Sequence, residues 1–83
     1  MRKSLFSNEY DTFLSMLKEH RKSSGITQVE LAKRLKESQS FVSKCERGER
    51  RLDLLETRIW CKALKLPFLE FVKKLDRKLS RLS

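Results

Sequence analysis

The chain has 83 residues, of which 20 are Lys or Arg and 11 are Asp or Glu, so its formal net charge is +9 at pH 7. This length corresponds to one domain with a small core, which oligomerisation often supplements. The charge favours polyanionic partners, nucleic acid before an anionic membrane surface; the alternative is a charge that serves only solubility. Two cysteines argue against a disulfide framework, and no apolar run approaches the roughly 20 residues that span a bilayer. We therefore expect a cytoplasmic protein without a secretory segment or membrane insertion.

The N-terminal segment 1–7 carries Arg2 and Lys3 but shows no apolar period. Chain ends that lack packing residues are commonly poorly ordered, so we expect a flexible arm here. Such an arm contacts either a phosphate or nothing, and the absence of a pattern favours nothing.

A first helix is predicted from Asn8 or Glu9 to Ser23. Its apolar residues recur at helical spacing and form one stripe, with Met16 beside it: Tyr10, Phe13, Leu14 and Leu17. Gly25 follows and is typical of a helix end. His20, the single histidine, has no acidic or cysteine partner at a metal spacing, which favours a surface or helix-end position over a metal ligand.

Two short helices are predicted between Thr27 and Gly48. Thr27 and Glu30 have the spacing of a capping box, so the first of these helices should start at Thr27. Ser38 is a second candidate cap, and a turn of only about three residues makes the two helices cross steeply. Their shared core is then predicted from four residues: Leu31, Leu35, Val42 and Cys45.

A fourth helix is predicted to start at Asp53, because Asp53 and Glu56 repeat the capping-box spacing. One face of this helix carries three apolar residues, with Trp60 and Leu64 beside them: Leu55, Ile59 and Ala63. Pro67 marks the next boundary, since proline is tolerated in a first helical turn but not inside a helix.

A C-terminal helix is predicted over 67–80. Apolar residues recur along it at alternating steps of four and three, from Phe68 to Leu82, and form a heptad-like seam. Because the compact fold has too few partners to cover this seam, we predict a homodimer through the last two helices, with interface residues Phe68, Val72, Leu75 and Leu79. The alternative is a monomer in which Phe68, Phe71 and Val72 close the core while the C-terminal residues fray. The cations on the other sides most often form a solvated face rather than a DNA contact: Lys73, Lys74, Arg77, Lys78 and Arg81.

The runs T-Q-x-E-L-A (27–32), S-Q-S-x-V-S (38–43) and E-R-G (46–48) resemble the phage-repressor and Cro-type (XRE-like) helix-turn-helix family of DNA-binding regulators. The resemblance extends from about Leu17 to Leu66. It implies an all-α, five-helix fold like the lambda-repressor DNA-binding domain, as a single domain over 1–83 with its helix-turn-helix at 27–47. The family usually has Gly where Lys36 stands and a small or apolar residue where Glu37 stands. A left-handed Lys36 costs roughly 1 kcal/mol relative to Gly.

In this kind of motif the second helix lies in the major groove, and the first helix crosses the DNA backbone. Base contacts are therefore expected from the exposed residues near the start of the second helix: Gln39, Ser40, Ser43 and Lys44. Gln39 matches the position at which family members most often read a base, and its amide can pair with adenine N6 and N7. Lys44 can donate to guanine or to a phosphate. Phe41 either packs inward or touches a thymine methyl group.

Phosphate contacts are expected at the helix starts and in the basic loop after the motif: Thr27, Gln28, Ser38, Arg47, Arg50 and Arg51. By the resemblance, Arg21 matches the family position that pairs with the Glu at the end of the recognition helix, here Glu46. We expect this ion pair to be structural, joining the first helix to the third.

These features predict a sequence-specific, double-stranded-DNA-binding transcriptional regulator, a repressor or autoregulator that acts as a homodimer on an inverted-repeat operator. No catalytic residue, metal or cofactor is expected, because the sequence has no Gly-rich phosphate loop, metal-ligand cluster or nucleophile with a base. Cys45 and Cys61 are expected to be buried as small apolar residues. The alternatives are an antitoxin or other interaction module that captures an acidic partner, and a restriction–modification controller protein.

Overall fold

Five α-helices make up the part of the chain that the computed structural model describes, residues 3–82. They are α1 Lys3–Ser23, α2 Gln28–Leu35, α3 Gln39–Glu46, α4 Leu54–Ala63 and α5 Phe68–Leu82. No β-strand occurs in that range, and the predicted all-α, five-helix fold is confirmed. None of these helices is both long and apolar enough to cross a membrane.

Helix α1 begins at Lys3 rather than at Asn8 or Glu9, and it ends at Ser23 as predicted. Residues 3–7 are therefore helical, and the prediction of an arm over 1–7 is wrong for them; Met1 and Arg2 lie outside the described residues. No Gly or Pro stands in this stretch, so nothing in the local sequence interrupts the helical hydrogen bonds. A missing apolar period is weak evidence against a helix.

Side-chain caps begin three of the helices at the predicted places. Thr27 Oγ1 accepts a hydrogen bond from the Glu30 amide in the first turn of α2, at 3.0 Å. Ser38 Oγ accepts one from the Phe41 amide in the first turn of α3, at 3.1 Å. At α4 the capping box is complete, since Asp53 Oδ1 accepts from the Glu56 amide at 2.7 Å and Glu56 Oε1 accepts from the Asp53 amide at 2.9 Å. Each cap satisfies an amide that would otherwise lack a partner.

The capping box predicted at Thr27 is only half formed. Glu30 does not return a hydrogen bond to the Thr27 amide; its carboxylate instead accepts from Arg34 Nε at 3.4 Å, one turn further along α2. An i,i+4 pair on the helix surface thus competes for the carboxylate that would close the box. The start of α2 is unaffected, because the Thr27 hydroxyl caps it alone.

Two lysines end helices in the left-handed conformation. Lys36 ends α2 with a φ of 59°, and the amide that follows it donates to the Ala32 carbonyl at 2.9 Å, which is a Schellman-type ending. Lys65 follows α4 with a φ of 56°. Both positions favour glycine, because a Cβ atom crowds the backbone at positive φ. The turn between α2 and α3 therefore has the left-handed geometry expected at this position, although a lysine is less stable in that conformation than a glycine.

The core lies where α2 and α3 pack on each other, with α1 against α3 and α5, and α4 against α2 and α5. In the predicted helix-turn-helix core, Leu31, Val42 and Cys45 are fully buried and Leu35 is half-buried. Ala32 of α2 is buried beside them, and the other buried apolar residues come from the remaining helices and the loops: Leu14, Leu17, Ile26, Leu52, Trp60, Cys61, Leu64, Leu66 and Phe71. One continuous core therefore holds all five helices.

The buried face of α4 is not the predicted face of Leu55, Ile59 and Ala63, so that prediction is wrong. Leu55 and Ile59 are 71% and 57% exposed, whereas Trp60 and Cys61 are buried. The neighbours of α4 are α2 and α5, and they cover the side that carries the indole, which is the largest apolar group of the helix. The stripe of Leu55 and Ile59 is left outside.

Helix α5 divides its predicted seam between the core and the surface. Phe71 is buried, and Phe68 and Leu75 are half-buried and pack against the core. Val72 is 37% exposed, which is above what a residue closing the monomer core would retain. Phe68 and Leu75 therefore contribute to the protomer core with part of their surface and leave the rest accessible.

A buried ion pair joins α1 to the end of α3. Arg21 Nε donates to Glu46 Oε2 at 2.6 Å, and Arg21 Nη2 donates to Glu46 Oε1 at 3.0 Å. The third nitrogen, Nη1, donates to the Ile26 carbonyl at 2.8 Å. The two side chains retain only 8% and 3% of their exposure. Both charges are therefore held away from water, with two parallel hydrogen bonds between them.

We expect Lys36→Gly to raise the free energy of unfolding by about 1 kcal/mol, because it removes the Cβ from a left-handed position. Lys65→Gly should change it in the same direction. Lys33→Gly, in the helical part of α2, is the matched control and should lower it by about 1 kcal/mol. Urea titrations of the three variants measure these values; a loss of stability in Lys36→Gly would contradict the argument.

We expect Glu46→Ala to lower the free energy of unfolding by about 3 kcal/mol, because it leaves the Arg21 guanidinium buried without its partner. The control is Glu49→Ala, which removes a carboxylate from an exposed pair with Arg47 and should leave stability nearly unchanged. Chemical denaturation of both variants is the measurement. Equal effects of the two substitutions would show that the Arg21–Glu46 pair is not structural.

Candidate nucleic-acid interface

One face of α3 is polar and is presented to solvent along most of the helix. Val42 and Cys45, on the opposite face, have no exposed surface. The four residues predicted to contact bases are Gln39, Ser40, Ser43 and Lys44, all within α3. Three of them are exposed, and Ser43 is half-buried. The helical period thus separates a face that packs on α2 from a face that is free to contact a ligand.

The starts of α2 and α3 lie side by side. Gln39 Nε2 donates to Gln28 Oε1 at 3.0 Å, which joins the first residue of one helix to the first residue of the other. Their N-caps, Thr27 and Ser38, are both exposed. Two helix N-termini, each with the positive end of its dipole, therefore meet at one place. Three of the predicted phosphate ligands, Thr27, Gln28 and Ser38, are gathered there beside Gln39.

Gln28 also reaches inward to the buried ion pair. Its Nε2 donates to Glu46 Oε1 at 2.9 Å, on the same oxygen that accepts from Arg21 Nη2. A continuous chain of hydrogen bonds thus runs from Arg21 through Glu46 and Gln28 to Gln39, from the core to the exposed start of α3. We call these four residues the polar relay.

Two of the predicted phosphate ligands in the basic loop are held by carboxylates. Arg47 donates to the two Glu49 oxygens at 2.9 and 3.2 Å and also to Ser43 Oγ. Arg50 donates to Glu56 Oε1 at 2.9 Å. Hydrogen bonds from Arg47 lower the pKa of the Glu49 carboxyl, and hydrogen bonds from Arg50 lower that of Glu56. The loop is therefore less positive than its arginine content indicates.

Two arginines of this loop also lie over aromatic rings. The Arg50 guanidinium carbon is 5.1 Å from the centroid of the Phe41 ring, and that of Arg51 is 4.1 Å from the centroid of Tyr10. Phe41 is half-buried and packs against the core, which is the first of its two predicted alternatives. The aromatic rings thus orient the loop that follows α3.

Neither the cysteines nor the histidine adds a reactive group to this face. Burial raises the pKa of the Cys45 thiol, and it raises that of Cys61 to about 11, so both are protonated near neutral pH. His20 Nε2 lies 3.3 Å from the Leu64 carbonyl oxygen, at the C-terminal end of α4. Among residues 3–82, no cluster of three His, Cys, Asp or Glu side chains is placed to hold a metal ion.

Sequence reasoning missed the polar relay beyond Arg21 and Glu46, and it missed the neutralised arginines. The partners of Gln28 are 11 and 18 residues away on another helix, so no local period relates them. The pairing of Arg47 with Glu49 had a signal, since the two residues are only two positions apart. Their charges of opposite sign could have been read as a pair.

Comparison with known proteins agrees with the helix-turn-helix arrangement of α2 and α3. A family model described as helix-turn-helix matches residues 17–71. Among solved structures, the chain is similar to an XRE-family like protein from Pseudomonas syringae pv. tomato str. DC3000, with 41% sequence identity and a TM-score of 0.86. The match covers 92% of this chain and 93% of that chain. A search of curated proteins finds no match.

The matched residues 17–71 are most of the chain, and they contain the whole of α2, α3 and α4. The family is one of regulators that bind DNA, and it is not a family of enzymes. This chain therefore belongs to the XRE-like helix-turn-helix family of DNA-binding transcriptional regulators.

Proposed function

We propose that this regulator recognises a specific double-stranded DNA sequence by placing α3 in the major groove while α2 crosses the backbone. The observation that carries the proposal is the exposure of Gln39 and Ser40 at the start of α3 and of Lys44 in its last turn, opposite a fully buried apolar face. The net charge of +9 draws the protein to the duplex before any base is read.

In this proposal base recognition comes from Gln39, Ser40, Ser43 and Lys44. Gln39 pairs with the N6 and N7 atoms of adenine, and Lys44 donates to guanine O6 and N7 or to a phosphate. Ser43 already accepts a hydrogen bond from Arg47, so its hydroxyl hydrogen is the part left to donate. The four side chains leave one helix from neighbouring turns, which suits the reading of a few successive base pairs.

Phosphate contacts in this proposal come from two places on either side of α3. Thr27, Gln28 and Ser38 lie at the paired helix starts, and Arg47, Arg50 and Arg51 lie in the loop beyond α3. Arg47 and Arg50 exchange Glu49 and Glu56 for phosphate when the duplex arrives. Because exposed ion pairs contribute little to stability, this exchange opposes binding only weakly.

The functional unit we propose is a homodimer that acts as a repressor or autoregulator on an inverted-repeat operator in the cytoplasm, associated with the nucleoid when bound. The proposed interface residues are Phe68, Val72, Leu75 and Leu79. The exposure of Val72, and of Ile59, which lines the same surface cavity as Phe68, supports an apolar surface for a second copy. In a twofold-symmetric dimer, the same apolar patch of each protomer forms the interface.

Gln39→Ala should abolish discrimination at one base step, with a loss of about 1–3 kcal/mol between the preferred base and the others. The measurement is a series of single-base substitutions in a duplex that is first selected from a random library. Arg50→Ala is the matched comparison: it should weaken binding to all sequences alike and reduce the salt slope by about one. A substitution series unchanged by Gln39→Ala would refute the base contact, and failure to retain any duplex at moderate ionic strength would refute the function.

Sedimentation at micromolar concentration should show a species of twice the 9.9 kDa protomer mass. Val72→Asp should shift it to the protomer, because a buried carboxylate without a partner opposes association. The neighbouring exposed Lys73→Asp is the control and should leave the dimer intact. A footprint on the selected operator should cover two half-sites whose centres are about 34 Å apart; protection of one asymmetric half-site would contradict the dimer.

A further inference from the structure

We propose that Glu46 is a positioning residue for base recognition, because through Gln28 it decides which atoms of the Gln39 amide face the DNA. The consequence is a preference for adenine over guanine at the step that Gln39 contacts. This inference rests on the proposed function, in particular on Gln39 as a base contact. It gives the Arg21–Glu46 pair a role beyond joining two helices.

The polar relay has a direction that its chemistry imposes. The ionised carboxylate of Glu46 only accepts hydrogen bonds, so Gln28 must turn its Nε2 towards Glu46, as it does at 2.9 Å. The Oε1 of Gln28 then points the other way and can only accept. Gln39 must therefore donate from its Nε2, as it does at 3.0 Å. One buried charge thus fixes the orientation of two amides in succession.

The anchor of the relay is rigid. The Glu46 side chain keeps only 3% of its exposure, and Arg21 holds both of its oxygens at 2.6 and 3.0 Å. Gln28 is half-buried between this anchor and the exposed Gln39. An exposed glutamine ordinarily samples several rotamers, and their loss opposes binding. Here part of that ordering is already present before DNA arrives.

The relay leaves Gln39 with a defined set of free groups. One Nε2 hydrogen is used on Gln28, so one hydrogen and the Oε1 atom remain for the groove. Adenine offers a donor at N6 beside an acceptor at N7, and these match the two free groups. Guanine offers two acceptors, O6 and N7, and so requires two donors. A Gln39 amide held in this way satisfies adenine fully and leaves guanine O6 facing an oxygen.

The test is the ratio of affinities for two duplexes that differ only in adenine or guanine at the Gln39 step. Glu46→Gln keeps the shape of the side chain but adds a donor. The remaining oxygen accepts from Arg21 Nε, and an NH2 group replaces Oε1, so the bond from Arg21 Nη2 is lost and the new amide donates to Gln28 Oε1. Both glutamine amides then reverse, and Gln39 accepts from Gln28 and turns both of its Nε2 hydrogens towards the groove. We expect the adenine preference to fall by about tenfold at that step, and preferences at other steps to stay unchanged.

A second variant keeps the test independent of the buried ion pair. Gln28→Ala interrupts the relay but leaves Arg21 and Glu46 in place, so the fold should be retained by circular dichroism. It also removes a proposed phosphate contact, which lowers affinity for both duplexes equally and leaves the ratio as the informative quantity. We expect a severalfold loss of adenine preference. Glu37→Gln is the control: it removes an equal charge from the turn before α3, outside the relay, and should leave the ratio at the wild-type value.

The relay can also be followed without DNA. In the free protein, the Gln39 side-chain amide resonances should move on Gln28→Ala and on Glu46→Gln, but not on Glu37→Gln. If neither relay variant moves these resonances, or if both keep the wild-type ratio while Gln39→Ala lowers it, the inference is wrong and the proposed function stands. If Gln39→Ala also leaves the ratio unchanged, the base contact itself is refuted, and the relay has no role in recognition.

Discussion

The orientation of α3 depends on the buried ion pair between Arg21 and Glu46. Charges removed from water are tolerated only when their geometry is good and their remaining hydrogen bonds are satisfied. Arg21 meets both conditions, with two bonds to Glu46 and one to the Ile26 carbonyl. The pair joins the end of α3 to α1, so the exposed start of α3 is held at the other end of a short, rigid helix. A mobile α3 would lose more conformational entropy on entering a groove.

Nearby carboxylates neutralise part of the positive charge on the proposed DNA-binding face. The chain carries a large positive excess, yet Arg47 and Arg50 are each paired with a carboxylate beside the site. Such pairs reduce the attraction to any duplex, because nonspecific binding is mostly electrostatic. They are also exposed and easily exchanged. The proposed balance lowers affinity for random sequence more than affinity for an operator whose phosphates are placed to receive the arginines.

Backbone strain in this protein lies in two turns, at Lys36 and Lys65, and not in the core. Lys36 and Lys65 each follow the last residues of a helix, where a cation interacts favourably with the negative end of the dipole. That gain offsets part of the strain at positive φ. In the core the packing has no comparable conflict, and among the described residues no buried side-chain polar atom lacks a hydrogen-bond partner. The polar relay is part of the reason, since it satisfies Gln28 and Glu46 together.

The sequence by itself determined the helix starts at Thr27, Ser38 and Asp53, because a cap depends on atoms within one helical turn. It also indicated the family and the pairing of Arg21 with Glu46, through motifs that span the whole helix-turn-helix. Only the tertiary structure decided which face of α4 is buried, since that depends on which neighbours cover it. The same holds for the bonds from Gln28 to Glu46 and to Gln39: they join residues that become neighbours only when α2 and α3 cross, and no spacing along the chain encodes that contact.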